Sequence, residues 1–147
     1  MANMLFLYGK AKVTRSGAEN CTFKALLERS TSTWTPNNRQ ATLAACTGLV
    51  EISAAGYSRA TLSNPTVTVD AAIDRVNLDM ENGSFGTPAS GQSFIAILYY
   101  IHIDGTAAND IPLLRQDTGL GVDLPAPLQN GSVTATIEDL IREILDS

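Results

Sequence analysis

The segment that most constrains this chain is Gln92 to Asp104, QSFIAILYYIHID, an apolar run closed at its two ends by Gly91 and Gly105. Its β-branched and aromatic residues are those of a strand, and the flanking glycines are the punctuation a strand carries. Extended backbone sends Ile95, Ile97, Tyr99, Ile101 and Ile103 to one side. Phe94, Ala96, Leu98 and Tyr100 go to the other, followed by His102 and Asp104. Apolar residues on both sides describe a central strand covered on both faces. A buried helix is the alternative, since periodicity cannot separate the two in a fully apolar run. The lack of a cap and the isoleucines on alternate positions favour the strand.

The rest of the chain reads as shorter strands and turns that can pack around this one. Met4 to Val13 predicts a first strand, with Gly9 a bulge or a point of close approach. Cys21 to Arg29 alternates Cys21, Phe23, Ala25 and Leu27 against Thr22, Lys24, Leu26 and Glu28, a half-buried strand. Ser30 to Thr35 leads into Pro36-Asn37-Asn38, a loop with turn chemistry. Gln40 to Ala55 reads as a helical turn, then Gly48, then a brief extended piece. Gly56 to Ser63 predicts a strand. Thr66 to Asp70 and Arg75 to Glu81 predict an antiparallel hairpin with Val67, Val69, Val76, Leu78 and Met80 on its apolar side. Ile111 to Asp117 can form a short strand, Thr118 to Gln129 is a loop, and Ser132 to Ile137 is a last strand. Glu138 to Leu145 carries Leu140, Ile141, Ile144 and Leu145 at helical spacing behind an acidic first turn, so it closes the chain as a short helix or prolongs the strand. The expected fold is mainly β, a single-domain antiparallel β-sandwich with long loops. Residues 4–13 and 138–147 are available for assembly.

At 147 residues the chain can bury roughly two-thirds of its unfolded surface. Only 17% of its residues are charged and its net charge is −5, so no basic patch for nucleic acid is expected. No run approaches the ~20 apolar residues of a membrane span, and the N-terminus lacks the basic leader of a signal peptide. Cys21 and Cys46 are in neither a C-x-x-C spacing nor a metal set, and read as buried thiols made in a reducing cytosol.

Candidate chemistry is sparse. His102 is the single histidine, and Asp104 shares its strand face and could orient its ring. No G-x-S-x-G elbow supplies a nucleophile, so a histidine at the wetter end of a core strand is the simpler reading. Asp79 and Glu81 could meet Asp70 across the hairpin and hold a cation weakly, or could just be its solvated face. Gly119-Leu120-Gly121 lacks the strand, helix and lysine of a phosphate loop. Trp34 either anchors its loop on the core or stacks on a ligand. The expectation is a non-enzyme without cofactor or metal.

The order of several short motifs carries more. Phe23-Lys24, Thr35-Pro36, Gly56-Tyr57-Ser58-Arg59 through Leu62, Thr66 to Asp70, Ile97 to Tyr100 and Gly105 to Ala108 follow one another over residues 20–117. In this order they resemble a family of small tailed-bacteriophage virion proteins. The chain differs from that family in having Gly83-Ser84-Phe85 after the hairpin, a Pro-rich loop, and Glu138 to Leu145 at its end. The resemblance implies a non-enzymatic β-sandwich on the particle. The first expectation is a capsid decoration or cement protein that bridges capsomers, and a tail or head–tail junction component is the alternative. Its partners would be the major capsid protein, other virion proteins and further copies of itself, with a trimer favoured and neither nucleic acid nor membrane involved. It would be found in the virion, assembled in the host cytoplasm. The expected contact residues are Leu5, Phe6 and Tyr8 near the N-terminus, Trp34, Pro36 and Asn37 in the first long loop, and Leu120, Val122, Leu124 and Pro125 in the last. A carbohydrate- or receptor-binding module is the rival from a different class, with Trp34, Tyr57 and Tyr8 as its candidate aromatics.

Overall fold

The computed structural model describes residues 4–72, 75–103, 106–118 and 120–135. In chain order its elements are β1 (Met4–Leu5), α1 (Leu7–Ser16), β2 (Thr22–Arg29), β3 (Ala60–Leu62), β4 (Thr66–Asp70), β5 (Arg75–Asp79), β6 (Gly83–Ser84), β7 (Ser93–His102), β8 (Ile111–Gln116), β9 (Ala126–Pro127) and β10 (Thr134–Ala135). Gln92–Asp104 becomes β7, and it is the spine. The main sheet runs β1-β8-β7-β2-β3, with β9 added to the start of β7, and every pairing is antiparallel. The fold is thus mainly β and antiparallel, as the alternation of the strands requires. A C-terminal helix over Glu138 to Leu145 falls outside the described residues, as does Ile137 at the end of the expected last strand.

Tyr99 and Tyr100 point to opposite faces of β7 and separate two cores. Beneath Tyr99 lie Phe23, Ala25, Leu27, Ile97 and Ile101, covered by Val13, Ile52, Phe85, Ala126 and Leu128. Beside Tyr100 lie Leu26 and Leu98, covered by Phe6, Trp34 and Cys46 from the N-terminus and the long loop after β2. Each fully buried Leu, Ile or Phe contributes about 1.5–3 kcal/mol, so this two-sided burial is the main stabilising term. It also corrects the reading of β2 as half-buried. Phe23 and Ala25 through Glu28 are all buried, because a strand in the middle of a two-faced sheet has no solvated side.

The expected first strand is mostly a helix. Only Met4 and Leu5 pair with β8, and Leu7–Ser16 is helical. The buried positions of that segment are Gly9 and Val13, four apart, which is one helix face. A Cβ on Gly9 would strike the carbonyl of Pro112 and lie 2.7 Å from the Cα of Leu113, so the missing side chain is what lets α1 lie against β8. Close approach was the right reason for this glycine, but in the wrong element. Gly17, at φ 76°, ends the helix and returns its N–H to Val13 O at 3.0 Å.

The long loop holds a short 3₁₀ turn at Leu43–Ala45, Gly48 at φ 90°, and then Glu51 bridged to Glu28. β3 keeps only Ala60–Leu62 of the longer strand expected there. The hairpin β4–β5 forms in the register Val67↔Leu78 and Val69↔Val76. Of its aliphatic side, Met80 is buried in the Tyr99 core, but Val69 is 75% exposed and Val67 40%. Asp70 pairs with Arg75 at the turn while Asp79 pairs with Thr66 at the open end. The register therefore separates Asp70 from Asp79, and the carboxylate cluster considered across this hairpin does not form.

Candidate functional site

Three polar clusters sit on or beside the Tyr100 face. The deepest joins Glu28 of β2 to Arg115 of β8 across β7, where Ala96 lies opposite Glu28 and leaves room for the contact. Arg115 Nε donates to Glu28 Oε2 at 2.8 Å and Nη1 to Asp117 Oδ2 at 2.7 Å. The guanidinium lies 5.9 Å from the centre of the Trp34 ring, which in turn stacks on Phe6 at 6.1 Å. Trp34 Nε1 donates to Gln40 Oε1, so the indole is fixed at both its face and its edge. This cluster pins the long loop to the sheet.

The second cluster binds the later part of that loop. Arg59 forks onto Glu51 at 2.9–3.1 Å, while Nη1 donates to Tyr100 Oη at 3.2 Å. Tyr57 Oη donates to Glu51 Oε2 at 2.6 Å and accepts the backbone N–H of Leu27. Burial first, and the Glu51 carboxylate second, push the Tyr57 hydroxyl well above the usual phenol range. Burial pulls the Arg59 guanidinium down, but Glu51 outweighs it and holds the cation. Beside this pair lies a hollow of about 230 Å³ lined by Leu26, Leu43, Cys46 and Leu49. Burial, reinforced by the charge of Glu28, pushes the Cys46 thiol up to about 11, which keeps it protonated and unreactive. Cys21 is raised by burial, against a smaller opposing pull from Lys12. Both thiols are free and buried, in line with the reading of the sequence.

The third is His102 with Asp110. Nδ1 lies 3.0 Å from Asp110 Oδ1, which also accepts the backbone N–H of Ile103. Asp110 is the partner of Nδ1, and Asp104, the partner expected from the sequence, falls outside the described residues. Asp110 in addition accepts the N–H of Leu43 at its backbone carbonyl, so this group closes the end of β7 against the 3₁₀ turn. In all three clusters the charges are spent on one another and on backbone, which is what holding loops to a sheet requires.

The surface offers apolar patches instead. Leu7 and Tyr8 of α1 are half exposed and, with Ala11, Arg15 and Arg39, line a groove of about 360 Å³. Val67 and Val69 stand out on the hairpin. Val122, also half exposed, borders a larger groove of about 600 Å³ floored by Phe94, Ile97 and Leu128.

The expected contact residues divide between core and surface. Phe6 and Trp34 are buried and make the loop–sheet stack, so they serve the core and are not available to a partner. Leu5, Leu120 and Leu124 are partly buried against the Tyr99 core. Tyr8, Asn37, Val122 and Pro125 are exposed and Pro36 is half-buried. The structure brings the N-terminus and the first loop together, through the N–H of Leu7 donating to Asn38 O at 2.9 Å. It sets Leu120 to Pro125 apart, around the larger groove. The sequence reading missed Leu7, Ala11, Arg15 and Arg39, although Leu7, Ala11 and Arg15 recur at the i, i+4, i+8 spacing of one helix face.

Comparison with protein-family models, with curated proteins and with solved structures found no match to this chain.

Proposed function

We propose that this chain is a non-enzymatic structural protein of a tailed-bacteriophage particle, most simply a capsid decoration subunit that bridges capsomers. The observation that carries the reading is the distribution of its exposed aliphatic and aromatic residues. They lie on α1, the hairpin and the last loop, with Ile103 just beyond the end of β7, around a sheet whose two faces are already filled. Contacts at several edges at once suit a subunit wedged between neighbours, where apolar patches become interface. The motif order over residues 20–117 supports the same reading. The internal fixing of His102, Arg59 and Arg115 supports a chain whose charges hold loops and turn over no substrate. The carbohydrate reading loses its main aromatic, because Trp34 is buried under Phe6 and Arg115.

The test is antibody labelling of purified particles in the electron microscope. Label over the head at many sites is the expected result. Label confined to the tail or one vertex would replace decoration by a tail or junction role. Particles with no label, and no band of this chain, would remove the virion reading.

A further inference from the structure

The groove on α1 has a chemistry of its own. Leu7, Tyr8 and Ala11 give it an apolar floor, and Arg15 and Arg39 stand on its rim. α1 carries Lys10, Lys12 and Arg15 and no acid at all. With Arg39 beside Arg15, the groove carries two cations on a chain whose net charge is −5. The second wall is rigid, because Leu7 N–H donates to Asn38 O and Arg39 N–H to Asn37 Oδ1 at 2.9 Å.

A segment of opposite character lies at the other end of the chain. Residues 136–147 are outside the described part, but their sequence is explicit. Ile137, Leu140, Ile141, Ile144 and Leu145 recur at i, i+3, i+4, i+7 and i+8, one apolar stripe of a helix. Glu138, Asp139, Glu143 and Asp146, against the single Arg142, give it a charge of −3. An acidic amphipathic segment is what a basic, apolar-floored groove recognises.

We propose that the α1 groove is the docking site for residues 137–147 of a second copy of this chain. Distance argues for the second copy over the same one. Thr134 and Ala135 pair with β6, and Gly83 of β6 lies against Ala60 and Thr61 of β3, the far edge of the sheet from β1. α1 lies on β8, three strand spacings or about 14 Å away. Extended backbone covers about 3.4 Å per residue, so crossing that span would take about four residues from Thr136 on and remove Ile137 from the stripe, whereas a second copy can present the whole stripe to α1. The contact requires only that copies meet, so it stands or falls independently of the phage reading.

The test uses the full chain in solution. Arg15→Glu with Arg39→Glu is expected to weaken self-association by about tenfold or more in sedimentation velocity, and adding Glu138→Lys with Glu143→Lys to restore it. Two single-cysteine additions then fix the geometry. A chain carrying Tyr8→Cys, mixed with a chain carrying Ile144→Cys and oxidised, is expected to give a disulfide-linked dimer of the two. A full-length chain that stays monomeric, association indifferent to the Arg15/Arg39 reversal, or a mixed pair that fails to cross-link would each overturn the proposal. Unchanged Trp34 emission serves as the control for folding.

Discussion

Arg115→Met is the most informative single change, because it removes one cation from between two buried carboxylates. The side chains of Arg115, Glu28 and Asp117 are 4%, 1% and 7% exposed. Taking the cation away leaves Glu28 charged in a site with almost no water, and removes the group that faces Trp34. Breaking a buried pair from one side costs roughly 3–5 kcal/mol, out of a total stability of about 5–15 kcal/mol for a domain of ordinary size. With a urea slope of about 2 kcal/mol per molar, the midpoint should fall by about 2 M. The emission of Trp34, the only tryptophan, reports the same transition. Methionine keeps much of the side-chain bulk, so a cavity is not the main term. The decisive variant is the double one, Glu28→Gln with Arg115→Met, which removes the orphaned charge. It should be less destabilised than the sum of the two single changes by about 1–3 kcal/mol. A midpoint shift below about 0.5 M for Arg115→Met, or additivity within about 0.5 kcal/mol, would refute the assignment of this cluster as the pin of the long loop.

Gly9→Ala should destabilise by about 1–3 kcal/mol despite the better helix propensity of alanine, because its methyl would meet the backbone at Pro112 and Leu113; an unchanged or higher melting temperature would show that α1 does not lie on β8. Val69→Ser should change stability by no more than about 0.5 kcal/mol, since the side chain is 75% exposed, and a clear loss in urea would mean that something covers the hairpin in the native chain. Cys46 gives a pH dependence. Its thiol keeps its proton up to about pH 11 when folded and loses it near the ordinary 9.0 when unfolded, so the stabilisation is complete below pH 9 and is lost as pH rises through 11. The urea midpoint of Cys46→Ala should therefore fall less steeply than that of the parent between those values, and equal slopes would contradict the burial of the thiol.

The parts of the fold that the sequence made legible are those in which one strand's own pattern decides its environment. β7 has apolar residues on both sides and no other way to bury them, and β8, the hairpin and the 3₁₀ turn before Gly48 follow from local turn and alternation signals. The N-terminal segment was misread for a physical reason. Leu5, Leu7, Gly9, Ala11 and Val13 alternate like a strand, but Gly9 and Val13 also share a helix face, and only the backbone of β8 decides between the two. Short elements such as β6, β9 and β10 exist because a partner strand passes by, so nothing within their two residues announces them.

The candidate sites were less legible, and Glu28 shows why. Alternation places it with Thr22 and Lys24 on what looks like the solvated side of β2, yet it is buried at 1% exposure. What buries it is Arg115, 87 residues further on, together with the loop that Trp34 pins down. A charge pair of that separation leaves no local trace, because neither residue is unusual in its own strand. Exposed aliphatics carry the opposite ambiguity. Val67 and Val69 look like core in the sequence, as any apolar strand face does, yet in the fold they are surface, 40% and 75% exposed. The pattern of a strand says which residues share a face. Whether that face meets the core, solvent or another chain is set by what the rest of the molecule has left to cover it. Among the described residues the covering elements, α1 and the two long loops, lie on the main sheet, and the apolar residues of the hairpin stay exposed beside them.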